Sequence, residues 1–189
     1  MPGKEPLPSY FHPLYSAQDI SSRVSDLGTE ITAWAREVWA SSHTDIITIP
    51  VLRGGIFFFA DLVRAIDHSV ELIPTSTSSY QDGVNNIQKD EVGVDLSAIP
   101  ARGRSLLLID DICDSGRTLQ VLTDKLREMG AAEVRSAVLV KRKLDRQTLS
   151  PEWFGFEFPG DEWLVGYGMD DCNRWRNLPA IYTIRKSVE

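Results

Sequence analysis

Apolar residues in this chain follow two patterns that alternate along the sequence. Runs rich in Ile, Val and Leu at residues 45–52, 106–109 and 134–140 predict buried β-strands, and residues 70–74 predict a shorter one. Between these runs, apolar residues recur every three or four positions, which predicts helices. This order of strands and helices predicts parallel crossovers, and therefore an α/β fold with a mostly parallel central sheet flanked by helices.

The predicted helices are defined by their apolar faces. The first begins behind a capping box of Ser16 and Asp19, and its apolar face consists of Ile20, Val24, Leu27, Ile31, Trp34 and Val38. We interpret this helix as structural, and a partner-binding helix is the alternative. Residues 56–63 predict a largely buried second helix. The third ends near Gly130 and has an apolar face formed by Leu119, Leu122, Leu126 and Met129.

The strand at 106–109 is followed directly by acidic residues that are candidates for a functional site. Asp110 and Asp111 come next in the chain, and Asp114 adds a third carboxylate within five residues. Carboxylates repel phosphate, so the expected partner of the first two is a sugar diol or a metal ion. The plain alternative is a strand–turn–helix with a polar N-cap, but such a turn has no need of three carboxylates.

A tight turn at residues 114–118 then leads into the third helix. A helix start offers unpaired N–H groups and the positive end of the helix dipole, and both attract anions. Gly116 allows the backbone to approach an anion closely, while Ser115 and Thr118 add hydroxyl donors. Together with the acidic pair, this turn predicts a site for ribose 5-phosphate. Neither a G-x-G-x-x-G sequence after a strand nor a Walker A sequence occurs.

Two further strand ends carry basic residues. Arg53, Gly54 and Gly55 follow the strand at 45–52, and glycines at such a turn suit the close approach of a diphosphate. Alone, this turn could equally be a plain tight turn. Lys141 follows the strand at 134–140 and begins a basic triplet, which could be a solvated strand end. Because ligands of parallel sheets bind beyond the carboxyl ends of the strands, we expect these groups to meet.

Composition narrows the classes of function. The 189 residues carry a net charge of −7, 42% are hydrophobic and 25% are charged, as in a single globular domain spanning residues 1–189. The acidic balance excludes nucleic acid as an expected partner. The chain has no apolar run of the roughly 20 residues that span a membrane, and residues 1–14 predict a flexible lead-in rather than a signal peptide. Two cysteines, at 113 and 172, offer no disulfide framework or metal spacing, so we expect a cytoplasmic protein.

The stretch 106–119 resembles the phosphoribosyl-diphosphate (PRPP) signature of the type I phosphoribosyltransferases, in which an acidic pair ends a strand and a D-[ST]-G-x-T loop holds the 5-phosphate. The turn after residue 52 resembles the diphosphate loop of that family, which often carries a cis peptide, here implied for Leu52-Arg53. The resemblance implies that Asp114 is catalytic, as the acid–base partner of purine N7. It implies a PRPP site formed by Arg53, Gly54, Asp110, Asp111, Asp114, Ser115, Gly116, Arg117, Thr118 and Arg176.

Residues 151–189 are rich in aromatic residues and glycine and resemble the hood of the 6-oxopurine branch, the hypoxanthine-guanine phosphoribosyltransferases. Trp163 falls where the family stacks an aromatic ring on the purine, and Leu164 where a backbone carbonyl meets the base. The resemblance also implies that Lys141 donates to the 6-carbonyl of the purine. The implied magnesium ligands are Asp110, Asp111 and Asp170. Three departures leave the preferred base open: Trp163 replaces Phe, Asp110 replaces Glu and Asp171 replaces Tyr.

A polar segment at about 79–95 falls where the family has a mobile flag loop, with Ser79 and Tyr80 matching its Ser-Tyr pair. An exposed hairpin is the alternative. The resemblance implies Mg²⁺-dependent transfer of phosphoribosyl from PRPP to N9 of hypoxanthine or guanine, by a homo-oligomer, dimer or tetramer. Two alternatives stay open: a PRPP-binding regulatory protein, and a phosphoribosyltransferase for another base such as xanthine, adenine or uracil.

Overall fold

The computed structural model describes residues 6–74, 76–77, 94–143 and 148–184. Within these ranges there are three helices: α1 Ala17–Ser42, α2 Ile56–Ala65 and α3 Arg117–Glu128. The same ranges contain ten strands: β1 Phe11–Tyr15, β2 Ile46–Pro50, β3 Val70–Leu72, β4 Ser76–Thr77, β5 Val94–Asp95, β6 Ser105–Cys113, β7 Glu133–Arg142, β8 Trp153–Phe158, β9 Trp163–Val165 and β10 Ile181–Ile184.

The central sheet consists of five parallel strands in the order β3-β2-β6-β7-β8. Alternate residues of β6 face its two sides. Leu107 and Ile109 pack in the core that includes α1 and α2, whereas Leu106 and Leu108 pack in the core that includes α3. The predicted α/β fold is therefore confirmed. Since the strands are parallel, their carboxyl ends share one edge, where ligands of such sheets bind.

Helix α1 has the predicted start and the predicted buried face. The side chain of Ser16 accepts from the backbone N–H of Asp19, and the Asp19 carboxylate accepts from the backbone N–H of Ser16. This reciprocal capping satisfies donors that the first turn of a helix leaves unpaired. All six residues of the predicted apolar face are buried. The helix gives way at His43, whose φ of 54° lies in the left-handed region.

The two shorter helices depart from their predictions in part. In α2 only Phe58 and Leu62 are buried, whereas Ile56 and Phe57 are 49% and 41% exposed. The prediction of a largely buried helix was wrong because α2 packs against α1 and the sheet on one side only, and its other side is exposed. Helix α3 buries its three predicted leucines, but Met129 lies just beyond its last residue and is 37% exposed.

The hood differs from its prediction at both ends. We define the hood as β1, β9, β10 and the turns at residues 166–180 that join the last two strands. β10 pairs antiparallel with both β1 and β9. Residues 11–14 therefore belong to a strand, so the predicted flexible lead-in at 1–14 was too long. Residues 153–158 form β8 of the central sheet, so the hood begins later than residue 151.

The predicted flag loop, with Ser79 and Tyr80, lies outside the described residues except for its end. The last two residues of the predicted range form β5, whose backbone pairs antiparallel with β4. In the part of the chain that the structure describes, the helices are too short or too polar to cross a membrane.

Candidate active site

The acidic pair lies inside β6 rather than after it, because the strand continues to Cys113. Both carboxyl groups are nearly buried, with residue exposures of 9% for Asp110 and 7% for Asp111. Asp110 Oδ1 accepts from the backbone N–H of Asp111 at 2.9 Å, and Asp111 Oδ1 accepts from the backbone N–H of Ile112 at the same distance. Each carboxylate is thus held by the backbone of the next residue.

The charge state of this pair is set mainly by burial. Desolvation, followed by the neighbouring charge of Asp111, raises the pKa of Asp110 well above its usual range. Desolvation also raises the pKa of Asp111, although hydrogen bonds from its neighbours and the charge of Arg176 act in the opposite direction. Two buried carboxyl groups side by side ionise at a cost that a bound cation would offset.

A cavity of about 320 Å³ opens beside this pair and is lined by residues 110–119. Helix α3 begins at Arg117, directly after Gly116 with a φ of 80°. A Cβ atom at residue 116 would lie 2.1 Å from the carbonyl oxygen of Leu149, so only glycine fits. The Ser115 hydroxyl accepts from the backbone N–H of Arg117 at 3.4 Å. The start of the helix therefore borders the cavity, as an anion site requires.

The turn after β2 contacts the acidic pair. The implied cis peptide at Leu52-Arg53 is present. A Cβ atom on Gly54 would lie 2.1 Å from Asp111 Oδ2, so a glycine is needed here for the carboxylate itself to fit. The exposed side chain of Arg53 reaches the hood, where its Nη2 donates to Asn173 Oδ1 at 3.3 Å.

Asp170 and Arg176 are joined within the hood. Arg176 Nη2 lies 2.5 Å from Asp170 Oδ1, and its Nη1 donates to the carbonyl of Gly168 at 2.6 Å. Asp170 Oδ2 accepts from the backbone N–H of Asn173 at 2.7 Å. Asn173 thus connects Arg53 to Asp170. Asn173 was not among the predicted site residues, because its φ of 61° depends on a turn that the sequence does not reveal.

The hood and the turn after β2 are in direct contact. A Cβ atom on Gly168 would lie 2.0 Å from the carbonyl oxygen of Gly54, and Gly168 has a φ of 107°. The two backbones therefore touch where two glycines face each other.

The two predicted base contacts of the hood lie at neighbouring positions of β9. Trp163 is 46% exposed, and its indole Nε1 donates to the carbonyl oxygen of Asp170 at 2.7 Å. Phenylalanine, the usual residue in the family resemblance, could not make this bond. Leu164 is buried at 4% exposure, and its register partner in β10 is Thr183.

Lys141 and its neighbour Arg142 have different surroundings, as expected for adjacent residues of a strand. Lys141 Nζ lies 3.8 Å from Glu157 Oε2 and 4.7 Å from the centre of the Phe154 ring. Arg142 Nε donates instead to Asp114 Oδ1 at 2.6 Å. Sequence reasoning missed Arg142, although the alternation of β7 across the basic triplet was the available signal.

The structure brings most predicted residues to one edge of the sheet. The three predicted magnesium ligands, however, are not arranged around a common point. Among the described residues, no group of three or more His, Cys, Asp or Glu side chains is arranged to hold a metal ion. Both carboxylate oxygens of Asp170 contact other groups, Arg176 and Asn173, whereas the acidic pair lies together in β6.

The fold and this edge define a class of protein that sequence comparison also identifies. Residues 22–171 match the family model described as the phosphoribosyl transferase domain, and the chain belongs to this family.

Individual relatives are similar over nearly the whole chain. The hypoxanthine phosphoribosyltransferase of Haemophilus influenzae is 35% identical over 169 residues, which cover 89% of this chain and 92% of that protein. The hypoxanthine-guanine phosphoribosyltransferase of Bacillus subtilis is 34% identical over 178 residues, covering 93% of both. A crystal structure of a hypoxanthine phosphoribosyltransferase from Staphylococcus aureus matches with a TM-score of 0.77 at 26% identity, covering 92% of this chain and 91% of that one.

Proposed function

We propose that this protein is an enzyme of purine salvage that transfers phosphoribosyl from PRPP to N9 of hypoxanthine or guanine, releasing diphosphate. The observation that carries the proposal is the cavity at residues 110–119, where a buried acidic pair adjoins the start of a helix. Anionic phosphate and a neutral sugar diol need these two environments side by side. The names of the relatives from Haemophilus influenzae and Bacillus subtilis support the same chemistry.

The PRPP molecule would extend across three segments. Its 5-phosphate would bind at the start of α3, at Ser115, Gly116, Arg117 and Thr118. Its ribose hydroxyls would donate to Asp110 and Asp111. Its diphosphate would bind between the turn after β2, at Arg53 and Gly54, and the hood, at Arg176. The contact between Arg53 and Asn173 supports this arrangement, because it brings Arg53 to the segment of the hood that carries Arg176.

Magnesium fits the acidic pair. Mg²⁺ binds oxygen and typically takes one or two carboxylates together with substrate phosphates. Asp110 and Asp111 supply two such groups, and the burial that raises the pKa of both makes a cation favourable there. Asp170 would join them only after loosening from Arg176. When bound, the ion would neutralise charge on the departing diphosphate. We expect EDTA to abolish turnover and added Mg²⁺ to restore it.

The base would bind on the hood side. Trp163 would stack on the purine, the backbone of Leu164 would contact its edge, and Lys141 would donate to its 6-carbonyl. To do so, the ammonium group of Lys141 would leave Glu157, from which it is 3.8 Å away. That distance is long for an ion pair, so the movement would give up only a weak interaction.

The chemical step would exchange bonds at the anomeric carbon. The bond from that carbon to the diphosphate oxygen breaks ahead of formation of the bond to N9, as in other glycosyl transfers with oxocarbenium-like transition states. Asp110 and Asp111 would stabilise the cationic sugar. Asp114 would accept the proton that N7 of the purine loses as N9 attacks. Its side chain is 61% exposed, and it lines the cavity beside the acidic pair.

The predicted flag loop at about 79–95 would complete the site by covering the sugar centre, with Ser79 and Tyr80 at its start. Lids of this kind keep water from a reactive intermediate. We expect amide hydrogen exchange in this segment to slow when PRPP and an unreactive purine analogue are bound together. Equal exchange in free and bound protein would reduce the segment to an ordinary surface loop.

A homo-oligomer is the proposed assembly. The exposed Ile56 and Phe57 lie on α2, and Phe57 borders a cavity of about 830 Å³ that Trp175, Leu178 and Tyr182 also line. An apolar face of this kind is typical of a surface covered by a second copy. We expect sedimentation to show a dimer or tetramer, and Phe57→Asp to shift it toward the monomer.

One assay separates this function from its alternatives. Purified protein with PRPP and Mg²⁺ is given hypoxanthine, guanine, xanthine, adenine and uracil in turn, and nucleotide and diphosphate are measured. We expect turnover with hypoxanthine or guanine. Turnover with only xanthine, adenine or uracil would assign another base, and PRPP binding without turnover would favour a regulatory protein.

A further inference from the structure

Arg142, at the end of β7, contacts two parts of the candidate active site at once. Its Nε donates to Asp114 Oδ1 at 2.6 Å. Its Nη1 donates to the carbonyl of Gly160 at 2.5 Å, and both Nη atoms lie 3.3 Å from the carbonyl of Glu162. The guanidinium carbon also lies 5.4 Å from the centre of the Phe158 ring. One side chain therefore holds a carboxylate on one side and two backbone carbonyls on the other.

The burial of the two charged partners is unequal. The side chain of Arg142 is 12% exposed, whereas that of Asp114 is 61% exposed. The arginine is thus the fixed member of the pair, and the carboxylate extends from it toward the cavity. A charge-assisted bond to a buried donor restricts which way such a carboxylate faces.

The carbonyls that Arg142 binds belong to residues just before Trp163. β9 begins directly after them and carries the exposed indole ring. The same guanidinium group therefore fixes Asp114 and the entry to the hood relative to each other. Only arginine has a planar fork that can donate in both directions.

We propose that Arg142 is a positioning residue of the transfer reaction, which aligns the Asp114 carboxylate with the purine held under Trp163. It acts through Asp114 and through the backbone at 160–162, and not on the reacting atoms. This inference rests on the proposed function, because the purine is the object being aligned. Lys141, its neighbour, has a separate role in that proposal and separate contacts.

The test compares Arg142→Ala and Arg142→Lys with the same two substitutions at Arg127, an exposed residue in the last turn of α3. The measured quantities are kcat and KM for hypoxanthine, the dissociation constant of PRPP without base, the melting temperature, and amide hydrogen exchange at residues 160–163. We expect Arg142→Ala to lower kcat/KM for hypoxanthine about 100-fold, as a displacement of about 1 Å in a reacting group does. PRPP affinity should stay close to wild type.

Further outcomes separate positioning from general stability. Arg142→Lys should lose less activity than Arg142→Ala but should not regain the wild-type rate, since an ammonium group cannot bind both partners. Free guanidinium ion at low concentration should partly restore Arg142→Ala and have no such effect on the Arg127 variants. Exchange at 160–163 should be faster in Arg142→Ala only.

Two results would overturn the inference. One is wild-type kinetics in Arg142→Lys. The other is a loss in Arg142→Ala that affects hypoxanthine turnover and PRPP affinity equally and follows the fall in melting temperature. An inactive wild-type protein would instead refute the proposed function. Hydrogen exchange would then still decide whether Arg142 holds residues 160–163, and unchanged exchange would reject that as well.

Discussion

The two sides of the candidate active site are built in different ways. The phosphate side, residues 110–119, is one continuous stretch between the buried strand β6 and the start of α3. The hood combines a strand from the beginning of the described chain with two from its end. Its turns contain four non-glycine residues with positive φ: Tyr167, Cys172, Asn173 and Trp175.

The two sides differ in whether their geometry is determined by residues that are neighbours in the sequence or by contacts between distant parts of the chain. On the phosphate side, strand, turn and helix follow each other in the sequence, so neighbouring residues fix the geometry. In the hood, positive φ values at non-glycine residues persist only where surrounding contacts impose them. We therefore expect substitutions on the phosphate side to affect chemistry, and substitutions in the hood to affect which base binds and how tightly.

The largest expected effect concerns base selection by Lys141. A lysine ammonium group can only donate hydrogen bonds, so it pairs with the 6-carbonyl of hypoxanthine but faces the amino group of adenine. Sites built on a polar contact can reject the mismatched ligand by about 10⁴–10⁵-fold. We expect adenine to be a very poor substrate. We expect Lys141→Met to weaken hypoxanthine binding and to reduce the preference for hypoxanthine over adenine. Wild-type affinity and selectivity in Lys141→Met would exclude Lys141 from base recognition and leave it only its contacts with Glu157 and the Phe154 ring.

Asp114→Asn tests the phosphate side next. General acid–base groups contribute about 10²–10⁴-fold, so kcat should fall by about that factor while PRPP binding is largely retained. Asparagine keeps an oxygen that can accept from Arg142, but it loses the proton exchange and also the negative charge that strengthens this bond. If instead PRPP binding is lost and the rate at saturation stays near normal, Asp114 belongs to the binding of PRPP and not to the chemistry.

Much of the phosphate side could be predicted from the sequence because its signals are local. The buried strand, the acidic pair and the glycine before α3 follow one another within a few residues. The cis peptide at Leu52-Arg53 was implied by the resemblance alone. Even here, the sequence did not reveal that Gly54 makes room for the Asp111 carboxylate, because these residues meet only after β2 and β6 pair.

The hood was predicted less well for the same reason. Residues 11–15 form a strand only because β10, from the other end of the chain, pairs with them. Residues 153–158 are as aromatic as the hood itself, yet they pair with β7 and extend the central sheet. Arg142 was missed because its partners meet it only in the folded chain: the Asp114 carboxylate comes from the turn after β6, and two backbone carbonyls carry no mark in a sequence.

A smaller effect is expected from Trp163→Phe in the hood. Phenylalanine keeps a ring for stacking but removes the bond from the indole N–H to the carbonyl of Asp170, which is 2.7 Å long. Such bonds contribute about 0.5–1.5 kcal/mol. Because this one orients the ring and does not touch the base, KM for hypoxanthine should rise by at most roughly two- to tenfold, with kcat nearly unchanged. Trp163→Ala is the matched control that removes stacking as well. A change in kcat alone would contradict the assignment of Trp163 to base binding.

Asp110→Asn should stabilise the ligand-free protein. The pKa of Asp110 is raised in the folded state, so the folded protein holds this proton more tightly, and stability falls as pH rises above the ordinary carboxyl pKa. Asparagine removes this cost. The gain in melting temperature should be absent near pH 3 and grow toward neutral pH, at about 2–4 °C for each kcal/mol. Asp161→Asn, at an exposed position, is the control. A variant less stable than wild type at neutral pH would contradict the inference that the buried negative charge of Asp110 destabilises the folded protein.

The smallest effect compares the two cysteines, one on each side of the site. Cys113 is buried at the end of β6, and desolvation, followed by the charges of Asp110 and Asp114, raises its pKa to about 11. Since the thiolate is the reactive form, only about one Cys113 thiol in a thousand is ionised at pH 8. Cys172, in a turn of the hood, is exposed. Iodoacetamide at pH 8 should therefore modify Cys172 and spare Cys113, as measured by mass spectrometry of the peptides. Both should react once the protein is unfolded, and Cys172→Ser should leave the native protein unmodified. Modification of native Cys113 as fast as that of Cys172 would mean that the end of β6 is as accessible as the turns of the hood, and the contrast between a buried strand end and exposed hood turns would be lost.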